Sequence, residues 1–225
     1  MMRTSQASPV TAVFSHLLAR AKSSTSHIVI HSALRKVVRK KDLRFWARGR
    51  SDGQLLHASK ESVLRDYGGR FGLRTLVETG TYMGDMALAV ADCFDHIITI
   101  ELDPHLCHAA GRRLQHLSNV TVLQGDSAEV LPRVLQSLER PSLFWLDAHY
   151  CGWWTARGSL DTPIERELNA ILSHAVRDHV VLIDDASCFT GAGDYPSLDR
   201  LAEVVARHQP GASIEVADDI VRIHR

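Results

Sequence analysis

The chain lacks a charge of its own. Its 26 basic and 26 acidic residues cancel, leaving a formal net charge of zero over 225 residues. With no global field to draw a polyanion, no nucleic-acid partner is expected. Cysteine is scarce: Cys93, Cys107, Cys151 and Cys188 form no C-x-x-C pair. That argues against structural zinc and for a reducing compartment. No apolar run approaches the roughly 20 residues of a transmembrane helix, so the expectation is a soluble, cytoplasmic protein. Acid is missing from the first 41 residues, which are rich in Ser and Arg. Transit peptides have that composition, and so do ordinary N-terminal arms. Internal repeats and low-complexity segments are also absent.

What is present suits one α/β domain with a modest extension, since 45% of the residues are hydrophobic. The charge is unevenly placed: Arg35, Lys36, Arg39, Lys40, Lys41, Arg44, Arg48 and Arg50 stand against only Asp42. A solvated helix face is the simpler reading of that run, and a phosphate-bearing partner or anionic membrane surface the sharper one. Residues 1–50 are therefore read as a basic N-terminal helical arm, and residues 51–225 as the main domain. The arm either packs on the outside of the domain or covers its site. Ser59 to Tyr67 predicts a helix capped by Ser59, with Val63, Leu64 and Tyr67 on one face and Gly68-Gly69 ending it.

From Arg74 onward, strands and helices alternate. Short apolar runs at Thr75–Val77, His96–Glu101, Val120–Leu123, Ser142–Leu146 and Val180–Ile183 read as buried parallel strands. Between them lie helices signalled by Asp103-Pro104, by Val130, Leu131, Val134, Leu135 and Leu138, and by a capping box at Thr162-Pro163-Ile164-Glu165. A further helix spans Ser197 to His208, and a terminal antiparallel pair flanks Ala217-Asp218-Asp219. The implied fold is a Rossmann-like, doubly wound, mostly parallel sheet with antiparallel C-terminal edge strands.

Ligands of such sheets bind at the carboxyl ends of the strands. Five successive strands here end in acids: Glu78, Glu101, Asp126, Asp147 and Asp184-Asp185. Asp126 alone would be a helix cap, but five in register put an acidic rim on one edge. Glu101 stands 21 residues after Gly80, the spacing at which an acid reaches the ribose hydroxyls of an adenosine ligand. The turn Gly80-Thr81-Tyr82-Met83-Gly84 has no Gly-x-Gly at its start, and Glu78 beside it would repel phosphate. An adenosine with a cationic arm is the ligand expected, and S-adenosylmethionine (SAM) has that chemistry.

Glu78-x-Gly80-x-Tyr82-x-Gly84, the acid Glu101 and the Asp126 turn resemble the class I SAM-dependent methyltransferases, over roughly residues 58–225. An aromatic at the loop's middle position is similar to the macrocin-type sugar O-methyltransferases. The resemblance implies that Glu78, Thr79 and the turn from Gly80 through Thr81 and Tyr82 to Gly84 face the methionine part. Glu101 would then hold the ribose, and Asp126 with Ser127 would lie by the adenine.

Asp147 and Asp184-Asp185 follow strands that this topology makes neighbours. Three carboxylates there form a hard-oxygen site suited to Mg²⁺, and catechol and macrocin-type O-methyltransferases look similar at these positions. The other reading is that the Asp pair caps a turn and binds nothing. His149, two residues past Asp147, has the chemistry to take a hydroxyl proton, and otherwise it is an ordinary loop histidine. Trp153 and Trp154 suit an acceptor lid or packing against the arm. The expectation is a Mg²⁺-assisted SAM-dependent O-methyltransferase with a small-molecule hydroxyl acceptor: a sugar, a phenol or a polyol. Asp147 and His149 would be its catalytic residues. A metal-free N- or O-methyltransferase and a non-catalytic SAM-binding module are the alternatives, and a homo-oligomer is compatible with all three.

Overall fold

The computed structural model describes residues 57–148 and 162–225. The expected arm at residues 1–50 and the loop holding His149, Trp153 and Trp154 lie outside the described residues. In chain order the elements are α1 (His57–Arg70), β1 (Thr75–Thr79), α2 (Asp85–Ala89), β2 (His96–Glu101), α3 (Pro104–Leu114), β3 (Val120–Gln124), α4 (Ser127–Leu135), β4 (Leu143–Leu146), α5 (Ile164–Ser173), β5 (Val180–Ile183), α6 (Leu198–His208), β6 (Ser213–Ala217) and β7 (Ile220–His224).

Among the described residues, the strands form one seven-stranded sheet in the order β3-β2-β1-β4-β5-β7-β6. The pairs β1–β2, β2–β3, β1–β4 and β4–β5 are parallel, and β7 runs antiparallel to both β5 and β6. The chain moves outward from β1 to β3, then returns to β4 on the other side of β1. The carboxyl ends of β1 and β4 therefore flank the topological switch point, where such sheets open a crevice.

Two apolar layers sandwich the sheet. On one face Val77, Phe144, Leu146, Val181 and Ile183 meet Leu131 and Leu135 of α4, Leu168 and Ile171 of α5 and Leu201 and Val205 of α6. On the other, Leu76, Trp145, Val180 and Leu182 meet Leu64 and Tyr67 of α1, Met86 of α2 and Leu114 of α3. Phe144 and Trp145, neighbours in β4, bury their rings on opposite faces, as the two-residue strand period requires. Each large apolar side chain so buried contributes about 1.5–3 kcal/mol of transfer free energy.

Helix ends follow local chemistry. Asp103 caps α3 by accepting from the N–H groups of His105 and Leu106, with Pro104 in the first turn. Ser197 caps α6 through the Arg200 N–H. Four ends differ from the sequence reading. Helix α1 starts before Ser59 and runs past Gly68-Gly69, stopping only where Gly72 takes the left-handed conformation (φ 62°). Helix α4 stops at Leu135, so Leu138 packs against the core from beyond it. The capping box is displaced: Pro163 is the N-cap of α5, and Thr162 Oγ1 accepts from the Ile164 N–H at 3.3 Å.

Candidate active site

The glycine turn after β1 is fastened to its neighbours on both sides. Toward β2, the N–H groups of Gly80 and Thr81 both donate to the Ile100 carbonyl, at 2.9 and 3.2 Å. Toward β4, the Asp147 N–H donates to the Thr79 carbonyl at 3.0 Å. Gly80 itself has φ 89°, and a Cβ added there would lie 2.4 Å from the Asp147 carbonyl oxygen. Glycine is therefore demanded twice over, by the backbone angle and by the approach of β4. Tyr82 adopts φ 48°, uncommon for a residue with a Cβ.

That conformation points the Tyr82 N–H at Glu101 Oε2, 2.7 Å away, while the Asp103 N–H donates to Glu101 Oε1 at 2.9 Å. The Glu101 carboxylate is thus held between the turn and the start of α3, with lone pairs remaining on both oxygens. Burial raises its pKa, against the pull of the two N–H groups.

Glu78, the strand-end acid of β1, is deeply buried. Its side chain lies within the sheet layer on the Leu76 face, only 2% exposed. There Thr99 donates to Glu78 Oε2 at 2.6 Å, and Thr99 in turn contacts the Thr81 hydroxyl at 2.5 Å. Burial pushes its pKa up to about 8, helped by the negative charges of Asp147, Glu101 and Asp85 and opposed by the Thr99 hydrogen bond. Near neutrality Glu78 therefore carries a proton, and the acidic rim inferred from sequence is reduced there. Thr79 is fully buried as well. Asp126 caps α4, accepting from the Ala128 N–H at 2.9 Å, and Ser127 is buried in the first turn of that helix.

The other half of the rim holds a residue that the sequence reading passed over. Lys60, on α1, donates from Nζ to Asp184 Oδ2 and stands 3.8 Å from Asp185 Oδ1. Burial alone would lower the lysine pKa, but Asp184, Asp147 and Asp185 together outweigh it and raise it, so the ammonium stays charged. Asp184 is 2% exposed, and its Oδ1 has no hydrogen-bond partner among the described residues. Asp185 turns the chain in the left-handed region, at φ 52°. A sequence signal for Lys60 existed. Lys60, Leu64 and Tyr67 recur at i, i+4 and i+7, so the lysine sits in the apolar stripe of α1, where a charge needs a buried counterion.

The three carboxylates expected to bind Mg²⁺ do not fit that ion as they stand. An ammonium already occupies Asp184, and a divalent cation about 4 Å from it would be repelled by about 8 kcal/mol at an effective dielectric constant near 20. Among the described residues, no group of three or more His, Cys, Asp or Glu is placed to hold a metal. The structure thus sets Asp184 and Asp185 against a lysine, with the charge of Asp147 acting on the same ammonium.

No protein-family model matches the sequence, and no curated protein matches it. Solved structures do match. The O-methyltransferase TomG from Streptomyces achromogenes, involved in tomaymycin synthesis and solved with SAM, aligns at TM-score 0.56 and 17% identity, over 80% of this chain and 84% of that one. An O-methyltransferase from Bacillus cereus in complex with S-adenosylhomocysteine (SAH) aligns at TM-score 0.57 and 14% identity, over 95% and 97%. The SAH-bound methyltransferase PaMTH1 from Podospora anserina aligns at 0.53 and 16%, over 100% and 99%. At these identities the likeness establishes the fold alone, a Rossmann-like architecture that these methyltransferases share. Among the described residues no helix is long and apolar enough to cross a membrane.

Proposed function

We propose that this chain is a SAM-dependent methyltransferase that places the methyl group on a hydroxyl of a small molecule such as a sugar, a phenol or a polyol. The observation that carries the reading is the Glu101 carboxylate, held at the carboxyl end of β2 by the N–H groups of Tyr82 and Asp103, beside the glycine turn. In that position Glu101 accepts the two ribose hydroxyls. Gly80 and Gly84 let the turn approach the methionine arm, and the buried Glu78 ionises in answer to that arm's positive charge. Asp126 and Ser127, at the end of β3, form the adenine side.

When bound, SAM supplies a methyl group activated by its sulfonium. The chain's task is to orient the acceptor oxygen in line with the methyl–sulfur bond and to remove the hydroxyl proton. The oxygen lone pair forms the new O–CH₃ bond, and the electron pair of the broken C–S bond stays on sulfur, giving SAH. The proton passes to His149 or to a carboxylate of the Asp147 group. No step of this scheme is routed through Mg²⁺, because the Lys60 ammonium already pairs with Asp184 and stands 3.8 Å from Asp185.

SAH should raise the melting temperature of the protein, and NAD should leave it unchanged. Glu101→Ala should weaken SAH binding about 10- to 150-fold, the equivalent of a charged hydrogen bond worth about 1.5–3 kcal/mol. Unchanged SAH affinity in that variant would show that another residue holds the ribose.

A further inference from the structure

We propose that Lys60 is the resident cation of the acceptor side, standing in the place that the Asp147/Asp184-Asp185 pattern offers to a divalent ion, so that the chain binds its acceptor and transfers methyl groups without a metal. The proposal rests on the methyltransferase reading above.

Lys60 is not a surface lysine that happens to reach an acid. It emerges from the apolar stripe of α1, one turn before Leu64, which is completely buried and fixes that helix against the sheet. Its side chain is 19% exposed, and that of its partner Asp184 is 1% exposed. The pair joins residues 124 positions apart in sequence, so the fold itself carries the ammonium into the carboxyl edge of β5.

The chemistry left over at the pair suits a hydroxyl. An ammonium has three donors. Among the described residues one is spent on Asp184, and 3.8 Å to Asp185 is an ion-pair distance rather than a hydrogen bond. Asp184 Oδ1, buried and unpartnered among those residues, is an acceptor beside that donor. An acceptor hydroxyl that reaches the ammonium meets a donor for its oxygen, while Asp184 Oδ1 is sealed from solvent and lies beyond its reach. Lys60 thus acts as a positioning residue. It keeps its proton throughout, fixes the acceptor oxygen and screens the carboxylates, much as a Lewis acid would, though with a smaller and non-exchangeable charge.

The test is Mn²⁺ binding to the full chain, followed by electron paramagnetic resonance, with SAH binding measured on the same samples. Wild type should bind no Mn²⁺ at this cluster at millimolar ion, and Lys60→Arg, which keeps the cation, should behave the same way. Lys60→Met keeps the apolar stem and removes the charge. It should gain Mn²⁺ affinity at least tenfold and lose it again when Asp184→Asn is added. Mn²⁺ binding by wild type that Asp184→Asn abolishes would overturn the proposal, as would a folded Lys60→Met that gains nothing. If Lys60→Met does not fold, wild type and Lys60→Arg decide: tight, Asp184-dependent binding in either overturns the proposal, and its absence in both supports it. SAH binding separates the two readings. A chain that binds SAH and also Mn²⁺ defeats the lysine proposal alone, whereas a chain that binds no SAH defeats the methyltransferase reading.

Discussion

The two halves of the sheet's carboxyl edge handle crowded carboxylates in different ways. On the β1–β2 side, Glu78 and Glu101 are satisfied by a threonine hydroxyl and by backbone N–H groups, and burial raises both pKa values. On the β4–β5 side, Asp184 and Asp185 face an ammonium supplied by α1. A buried acid cluster must be relieved by a proton or by a cation. The first half uses a proton, which a cationic ligand can displace, and so it remains ready for the methionine arm of SAM. The second half has a built-in cation that pulls the Asp184 pKa down, although burial still holds it above the ordinary value. One edge thus carries a half relieved by hydrogen bonds and protons alone and a half in which a lysine of the chain shares that task.

The seam between the halves is Gly80, and breaking it should have the largest effect. Gly80→Ala combines a left-handed angle with a Cβ 2.4 Å from the Asp147 carbonyl oxygen, backbone against backbone. Strain of about 1–3 kcal/mol adds to overpacking of similar size. A stability loss of about 3 kcal/mol or more is expected by urea unfolding, with SAH binding lost alongside. A loss under about 1 kcal/mol would mean that β1 and β4 separate easily, and that the halves are less tightly joined than the hydrogen bonds suggest.

Glu78 offers a sharper test of the exchangeable half. Its folded pKa of about 8 lies above its ordinary value of 4.5. Between those values the folded chain keeps a proton that the unfolded chain releases. The associated stability is fully present below about pH 4.5 and is lost as pH rises toward 8, at about 1.4 kcal/mol per pH unit. Glu78→Gln keeps an acceptor for Thr99 and removes the titration. The stability difference between variant and wild type should therefore grow in favour of the variant from pH 5 to 8. Wild-type SAH affinity should rise over the same range as Glu78 ionises, while that of the variant stays flat. Parallel stability curves for the two proteins would place the Glu78 pKa near normal, and the contrast between the halves would then lose its first member.

How much of this was legible in the sequence depended on the range of the interaction. The strands were legible because five apolar runs of buried parallel type end at turns and acids, and each is a strand in the observed sheet. The caps Asp103 and Ser197 were legible because a cap is decided within three residues. The end of α1 was not, because Gly68-Gly69 stays helical and the true stop is the left-handed Gly72. Glu78 was assigned to the rim by position alone. The alternation along β1 puts Glu78 on the Leu76 face, but that it finds a hydroxyl there depends on its cross-strand neighbour Thr99, which strand pairing alone supplies. The greatest gap was the Lys60–Asp184 pair: a lysine in an apolar stripe signals a buried partner, yet nothing local says which acid the topology will bring to it.

The smallest expected effect concerns Asp126, and it separates two roles that the same side chain could fill. As the N-cap of α4, Asp126 accepts from the Ala128 N–H, and removing such a cap costs about 1 kcal/mol. On the resemblance to methyltransferases the same residue would lie beside adenine, where a carboxylate would accept from the exocyclic amine. Asp126→Asn preserves the cap, since asparagine is as good an N-cap as aspartate, but it substitutes a neutral amide for the carboxylate. Asp126→Ala removes both. If Asp126 only caps, Asp126→Asn should match wild type in stability and in SAH affinity, and Asp126→Ala should lose about 1 kcal/mol of stability with SAH affinity changed less than about threefold. If it also reads adenine, Asp126→Asn should keep its stability yet bind SAH several-fold more weakly, with binding of adenosine alone weakened by the same factor. Equal SAH affinity across all three proteins would remove Asp126 from the binding site and leave Glu101 as the one charged contact on the nucleoside half of the edge.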